Sequence, residues 1–239
     1  MQFAILFVIF FTTIIQSIFG VGVLLFGTPL MLLFGYDFQF SLTILLPISI
    51  LINFFQLINK FNNIEFKFYR RLIIWTIPTI IFFLYYISAS PINLNLIIGI
   101  FLIFISFNKN SHFIKNIIDF FLKFEFIYLI IIGIVHGITN LGGALLSTII
   151  FSKNLSKERT RATIAISYLT FAVFQIATLI VLVGNNDFIR IDNIIYWFVG
   201  LLVFFIIEKL IYLKINEKMY HKYFSLFLLI IGLLLIIKN

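Results

Sequence analysis

From residue 2 to residue 237 the chain is a succession of apolar segments. Most are about 17 to 25 residues long, the length a helix needs to span the hydrocarbon core of a bilayer. With 62% hydrophobic and only 11% charged residues among 239, there is too little polar surface to coat a soluble domain of this size. The sequence therefore predicts an all-α polytopic membrane protein, with residues 1–239 forming a single integral membrane domain. The connections are too short to fold alone. The opening stretch MQFAILFVIFFTTIIQSIFG has no basic leader and no small-x-small cleavage pattern, so it reads as the first membrane segment rather than a signal peptide.

Several functions are excluded by residue inventory. There are no cysteines, hence no disulfide, thiolate metal site or cysteine nucleophile. Three histidines and nine acidic residues are scattered, so no metal site and no cofactor is expected. The apolar segments carry no paired carboxylates, no HExxH, no Gly-x-Ser-x-Gly and no phosphate loop, so neither an enzyme nor an ATP-driven pump is expected. The net charge of +8 comes from short connections: Lys60, Lys67, Arg70 and Arg71; Lys153, Lys157, Arg159 and Arg161; Lys209, Lys214, Lys218 and Lys222. That is the positive-inside distribution of a protein held in a lipid bilayer, not a nucleic-acid surface.

The layout repeats. A long interrupted run over residues 2–35, broken at Gly20, Gly22, Gly27 and Pro29, is followed by helices at 40–58, 72–89 and 92–107. A charged, amphipathic connector at 108–126 lies along the membrane surface. A second interrupted run at 127–151 is followed by helices at 162–183, 192–208 and 222–237. Repeat 1 covers about 1–107 and repeat 2 about 127–239. His136 lies 120 positions after Gln16, and the same offset pairs Gly22 with Gly142, Thr28 with Thr148 and Thr43 with Thr163. In the first half the connection after the broken run is acidic (Asp37) and the next is basic. In the second half SKNLSKERTR comes first and GNNDFIRIDN second. Opposite charge order implies opposite insertion, and inverted repeats around a midplane site are a recurrent transporter plan. An odd number of crossings per repeat then requires either that each broken run enter and return on one side, or a different helix count.

The polar content of the two broken runs is what needs explaining. HGITNLGGALLS places His136, Thr139, Asn140, Gly142, Gly143 and Ser147 inside an apolar run, with Thr148 next. FGVGVLLFGTP supplies Gly20, Gly22, Gly27, Thr28 and Pro29. Unwound backbone at membrane depth occurs where it is buried in protein or lines a cavity. Helix N-termini created by such a break attract anions. The competing reading is close helix packing through small residues, which would make the protein a non-transporting scaffold or assembly protein. Occurrence of both motifs at matching places favours a substrate site made of Gly20, Gly22, Thr28, Pro29, Thr139, Asn140, Gly142, Gly143, Ser147 and Thr148. His136 is the candidate proton relay. Thr43, Thr163 and Arg161 are candidates for lining the cavity. For Arg161 an anchor at the headgroups is the stronger expectation. Asn53, Gln56 and Gln175 read as interhelical hydrogen-bonding residues, and Glu208 as reaching the interface.

The stretches GVGVLLFGTPLMLL, HGITNLGGALLSTII and KERTRATIAISYLTF resemble the signatures of the TauE/SafE family, the sulfite-exporter-like permeases. The resemblance spans nearly the whole chain. Val23 stands opposite Gly143, and Ala144 and Leu145 occupy places where the family commonly has proline. The resemblance implies two repeats of membrane helices moving a small sulfur-containing anion such as sulfite or an organosulfonate. The expected setting is a bacterial inner membrane, with alternating access, proton coupling or passive export, and a homodimer all compatible with the residues.

Overall fold

The computed structural model describes residues 2–58, 60–90, 92–107, 116, 119–184, 191–211 and 217–238. Their regular structure is helical throughout. The helices are α1 (Gln2–Phe19), α2 (Val23–Leu33), α3 (Phe38–Leu57), α4 (Phe66–Ser88), α5 (Leu94–Ser106), α6 (Glu125–Thr139), α7 (Gly143–Ser152), α8 (Lys157–Thr178, prolonged by a π-turn, Leu179–Val183), α9 (Ile191–Ile211) and α10 (Glu217–Ile237). Among the described residues, Phe38–Leu57, Phe66–Ser88 and Lys157–Val183 are long and apolar enough to cross a membrane. Polar side chains mark where helices begin. Asp37 accepts from the Phe40 amide (2.8 Å), Asn93 from that of Asn95 (3.0 Å) and Ser156 from that of Arg159 (3.4 Å).

The two long runs break in one place each. The first breaks at Gly20–Gly22, whereas Gly27 and Pro29 lie inside α2. Gly27 serves packing, since a Cβ there would lie 2.8 Å from Leu45 of α3. After the break α2 turns back along α1, bringing the Phe34 ring edge-on to Phe7, 6.2 Å between centroids. The second run breaks at Asn140–Gly142, and α7 turns back along α6 until Lys153 pairs with Glu125 at 2.8 Å. Two helices start earlier than periodicity suggests. Helix α4 takes in Lys67, Arg70 and Arg71, and α8 takes in Lys157 to Arg161. Lys, Arg and Glu are good helix formers, and here ion pairs replace apolar periodicity as the support. The expected connector at 108–126 falls mostly outside the described residues, as does the centre of the acidic connection, 185–190.

Helix pairing crosses between the halves: α3 with α8, α5 with α10, α4 with α6, and α1 with α9. The α5–α10 crossing is backbone-close, because a Cβ at Gly99 would sit 2.8 Å from the Gly232 carbonyl oxygen and one at Gly232 equally near that of Gly99. Gly99→Val should therefore separate the two helices at a cost of about 1–3 kcal/mol, read as a lowered Tm of the purified protein. The basic connections meet at one end of the bundle. There Lys60 pairs with Glu158 (3.7 Å), Arg159 with Glu65, and Arg71 with Glu125 (2.6 Å). At the other end Gln39 donates to the Ser88 carbonyl (2.9 Å), and Lys238 donates to the Leu33 carbonyl that ends α2 (2.6 Å). The hairpin α1–α2 thus opens toward the second end, and α6–α7 opens toward the basic end.

Candidate functional site

The tip of the first hairpin is built by one side chain. Gly20 adopts a left-handed conformation (φ +76°). The Gln16 amide bridges the turn, its Nε2 donating to the Gly20 carbonyl (3.1 Å) and its Oε1 accepting from the Val23 amide (3.1 Å). The same Nε2 reaches Asn53 Oδ1 on α3 (3.3 Å), and Asn53 donates back to the Ser49 carbonyl (2.7 Å). Gly22 lies against the backbone of α1, where a Cβ would be 2.6 Å from Gln16 N and 2.9 Å from the Thr12 carbonyl oxygen.

The second tip places a left-handed residue at the same point 120 positions later, although Gly142 (φ −56°) is helical where Gly22 (φ 171°) is extended. Asn140 takes the left-handed place of Gly20 (φ 62°), with its amide bonded to the His136 carbonyl (2.9 Å). A Cβ at Gly142 would lie 2.6 Å from His136 Cβ and 2.7 Å from the Ile132 carbonyl oxygen. A Cβ at Gly143 would collide with the Tyr168 hydroxyl. Thr12, Gln16, Gly20 and Gly22 thus have structural mates in Ile132, His136, Asn140 and Gly142.

From this second tip a buried polar chain runs to the first hairpin. His136 Nε2 meets Gln175 Oε1 (3.1 Å), Gln175 Nε2 donates to Asn140 Oδ1 (3.2 Å), and Asn140 Nδ2 donates to Thr28 Oγ1 (2.9 Å). With Gln175 Oε1 as acceptor, His136 carries its proton on Nε2. His136 Nδ1 has no hydrogen-bond partner among the described residues. All four side chains are fully enclosed.

Of the sequence-derived candidates, the structure brings together Thr28, Asn140 and His136 beside Gly142 and Gly143, whereas Gly20 and Gly22 shape the separate first tip. The remaining hydroxyls turn to their own backbone. Ser147 donates to the Gly143 carbonyl (2.9 Å), Thr148 to Ala144 (3.0 Å), Thr139 to Val135 (2.7 Å) and Thr43 to Phe40 (2.7 Å). Thr163 accepts from the Glu65 amide (3.0 Å), tying the basic connection to α8. Pro29 lies within α2 beside Thr28. Gln175, expected from the sequence to bond between helices, does so to His136 and Asn140. Its signal was a polar residue at membrane depth on the helix after the second break, as Asn53 is after the first.

Arg161 is a correction. It does not extend to the headgroups but is buried, with Nη2 donating to the Ser17 carbonyl at the first tip (3.3 Å) and to Glu208 Oε1 on α9 (3.0 Å). Its stem covers Gly20, where a Cβ would be 3.5 Å from Arg161 Cγ. The internal carbonyl and carboxylate repay the lost hydration that a headgroup position would have supplied.

Helices α2 and α7 begin inside the protein with glycine at the N-cap, no side-chain cap and no acidic residue in the first turn. Both therefore present positive helix ends, that of α2 with its first amide already taken by Gln16 Oε1. An open depression of about 470 Å³, lined by Arg71, Trp75, Lys123, Phe124, Glu125, Phe126 and Leu129, lies at the basic end and touches neither tip.

Apolar helices on this scale, broken in two places with the breaks turned inward, define a multi-pass membrane protein of the permease class. No curated protein and no solved structure matches the chain. The family model for the sulfite exporter TauE/SafE matches residues 5–235, and the chain belongs to that family.

Proposed function

We propose that the protein carries a small sulfur-containing anion, sulfite or an organosulfonate, across a bacterial inner membrane by alternating access between two inverted repeats. Repeat 1 takes in α1–α5 and repeat 2 takes in α6–α10. Two kinds of observation support the inversion. The hairpins open toward opposite ends of the bundle, and their neighbours are exchanged: α4 of the first half covers α6, while α9 of the second covers α1. A re-entrant hairpin plus three crossings meets the odd count that inversion needs. The basic end is then cytoplasmic.

The observation that supports the anion reading is the pair of helix N-termini at the tips, positive ends with no acidic residue in the first turn, that of α2 with its first amide held by Gln16. In the conformation described, the tips are closed off, and the Asn140–Thr28 bond joins one hairpin to the other. Access from either end requires that bond to open as one hairpin shifts against the other. The proposal includes no chemical transformation of the anion, since the buried tips offer amides, hydroxyls and one imidazole but no nucleophile paired with a base.

The test is flux of sulfite, thiosulfate, sulfate and sulfoacetate in proteoliposomes. Sulfite or sulfoacetate is expected to move in preference to sulfate. A folded preparation that moves none of the four would overturn the reading. Proton coupling is checked with His136→Gln, which installs the residue that stands at the mate position 16 and keeps a donor toward Gln175. If His136 relays the proton, an imposed pH gradient drives uptake in the parent protein and no longer does so in His136→Gln. Equal gradient dependence in both removes His136 from that role.

A further inference from the structure

The first hairpin tip holds more polar capacity than its own hydrogen bonds consume. On α3, Gln56 follows Asn53 by three residues and so shares its face, one turn nearer the basic end. Asn53 is bonded to Gln16, and Gln16 to the first amide of α2. Helix periodicity therefore places Gln56 on the side of α3 that carries Asn53 toward this tip. It is only 4% exposed, and among the described residues neither its Oε1 nor its Nε2 has a hydrogen-bond partner. A buried amide with both ends unmatched is costly unless something else binds it. On the other flank of the tip, Arg161 rises from α8, whose Ala162 and Ala165 pack against Leu57, the neighbour of Gln56. Arg161 is 8% exposed, yet the Glu208 carboxylate it holds is 30% exposed, so the ion pair has one buried and one partly exposed partner.

We propose that Gln56, Arg161 and the N-terminus of α2 form an oxyanion subsite, and that Glu208 is a built-in competitor which holds Arg161 until the transported anion replaces it. This rests on the anion-carrier reading above and names the recognising groups. A sulfite or sulfonate presents several acceptor oxygens. One takes the Gln56 Nε2 donor, others take the guanidinium fork and the α2 amides. Glu208, the more exposed partner and near the end of α9, is the one that leaves, and its release frees α9 from α8 and the first tip at the basic end. Exchange of one anion for another leaves the buried arginine compensated at every stage, so the gate opens without stranding a charge.

The experiment measures sulfite uptake against concentration in proteoliposomes, with Tm recorded for each variant. Glu208→Gln keeps the shape and removes the competitor, so the KM for sulfite should fall about tenfold, the worth of one charge-assisted hydrogen bond. Gln56→Leu should raise KM about tenfold by the same measure while leaving Tm unchanged or higher, because an unmatched amide has been removed. A merely structural role for the pair predicts the reverse in both, with KM unchanged or raised in Glu208→Gln and Tm lowered in Gln56→Leu. Either of those results overturns the subsite even where the parent protein transports sulfite normally. A folded parent protein that transports no anion overturns the carrier reading and the subsite together. Should Glu208→Gln not fold, Gln56→Leu decides the matter.

Discussion

Leucine in place of Gly22 or Gly142 is expected to abolish transport and to cause a large loss of stability. Each glycine faces main chain rather than a yielding side-chain end. A Cβ at residue 22 would sit 2.6 Å from Gln16 N, and one at residue 142 would sit 2.7 Å from the Ile132 carbonyl oxygen. Those atoms belong to the hydrogen-bonded ladders of α1 and α6 and cannot retreat without breaking them. Even alanine should cost about 1–3 kcal/mol, and leucine more, because the returning helix must separate from its partner. Thermal denaturation of the purified variants provides the measurement, with lipid-facing Phe82→Leu (Phe82 is 63% exposed) as a control expected to stay within about 0.5 kcal/mol. Near-parental Tm in both glycine variants would mean that the hairpins are not packed as described.

Asn140→Gly carries the second large effect, and it separates binding from folding. Glycine accepts the φ of 62° that Asn140 adopts, so the turn survives. What disappears is the amide linking Gln175 to Thr28, and with it the hydrogen bond that joins the two hairpins in the polar chain. Transport should be lost. Stability should drop by about 1–3 kcal/mol, because the buried Gln175 donor is left unmatched. Asn140→Leu should be worse by roughly a further 1–2 kcal/mol, the strain of a left-handed non-glycine residue. Transport at parental rate in a folded Asn140→Gly protein would reduce HGITNLGGALLS to a packing motif.

Much of this was legible in advance, for reasons that differ residue by residue. The breaks at Gly20–Gly22 and Asn140–Gly142 were readable because glycine and asparagine are the residues that tolerate left-handed backbone, and few other residues in the apolar runs do. The 120-residue offset was readable because the mates Gln16 and His136 are polar against an apolar background. The starts of α4 and α8 were missed, since a charged first turn carries no apolar periodicity, and its support comes from ion pairs with distant segments such as Glu65 with Arg159. The hydroxyls carry the least information. A serine or threonine in a helix always has a carbonyl one turn back within reach, as Ser147, Thr148 and Thr43 found, so its presence says little about a ligand.

Hydropathy, glycine placement and charge order are properties of single residues and their spacing, and they were sufficient for the membrane class and the two broken runs; the family came from the resemblance of three short stretches. Partner choice is a property of three dimensions. That Asn140 meets Thr28 across 112 positions, that Gln175 closes the chain to His136, and that Arg161 turns inward to Ser17 and Glu208 all depend on which helices the fold sets side by side. A buried amide or guanidinium must find a partner somewhere, but the sequence states only the demand; packing of α3, α8 and α9 around the hairpins supplies the answer.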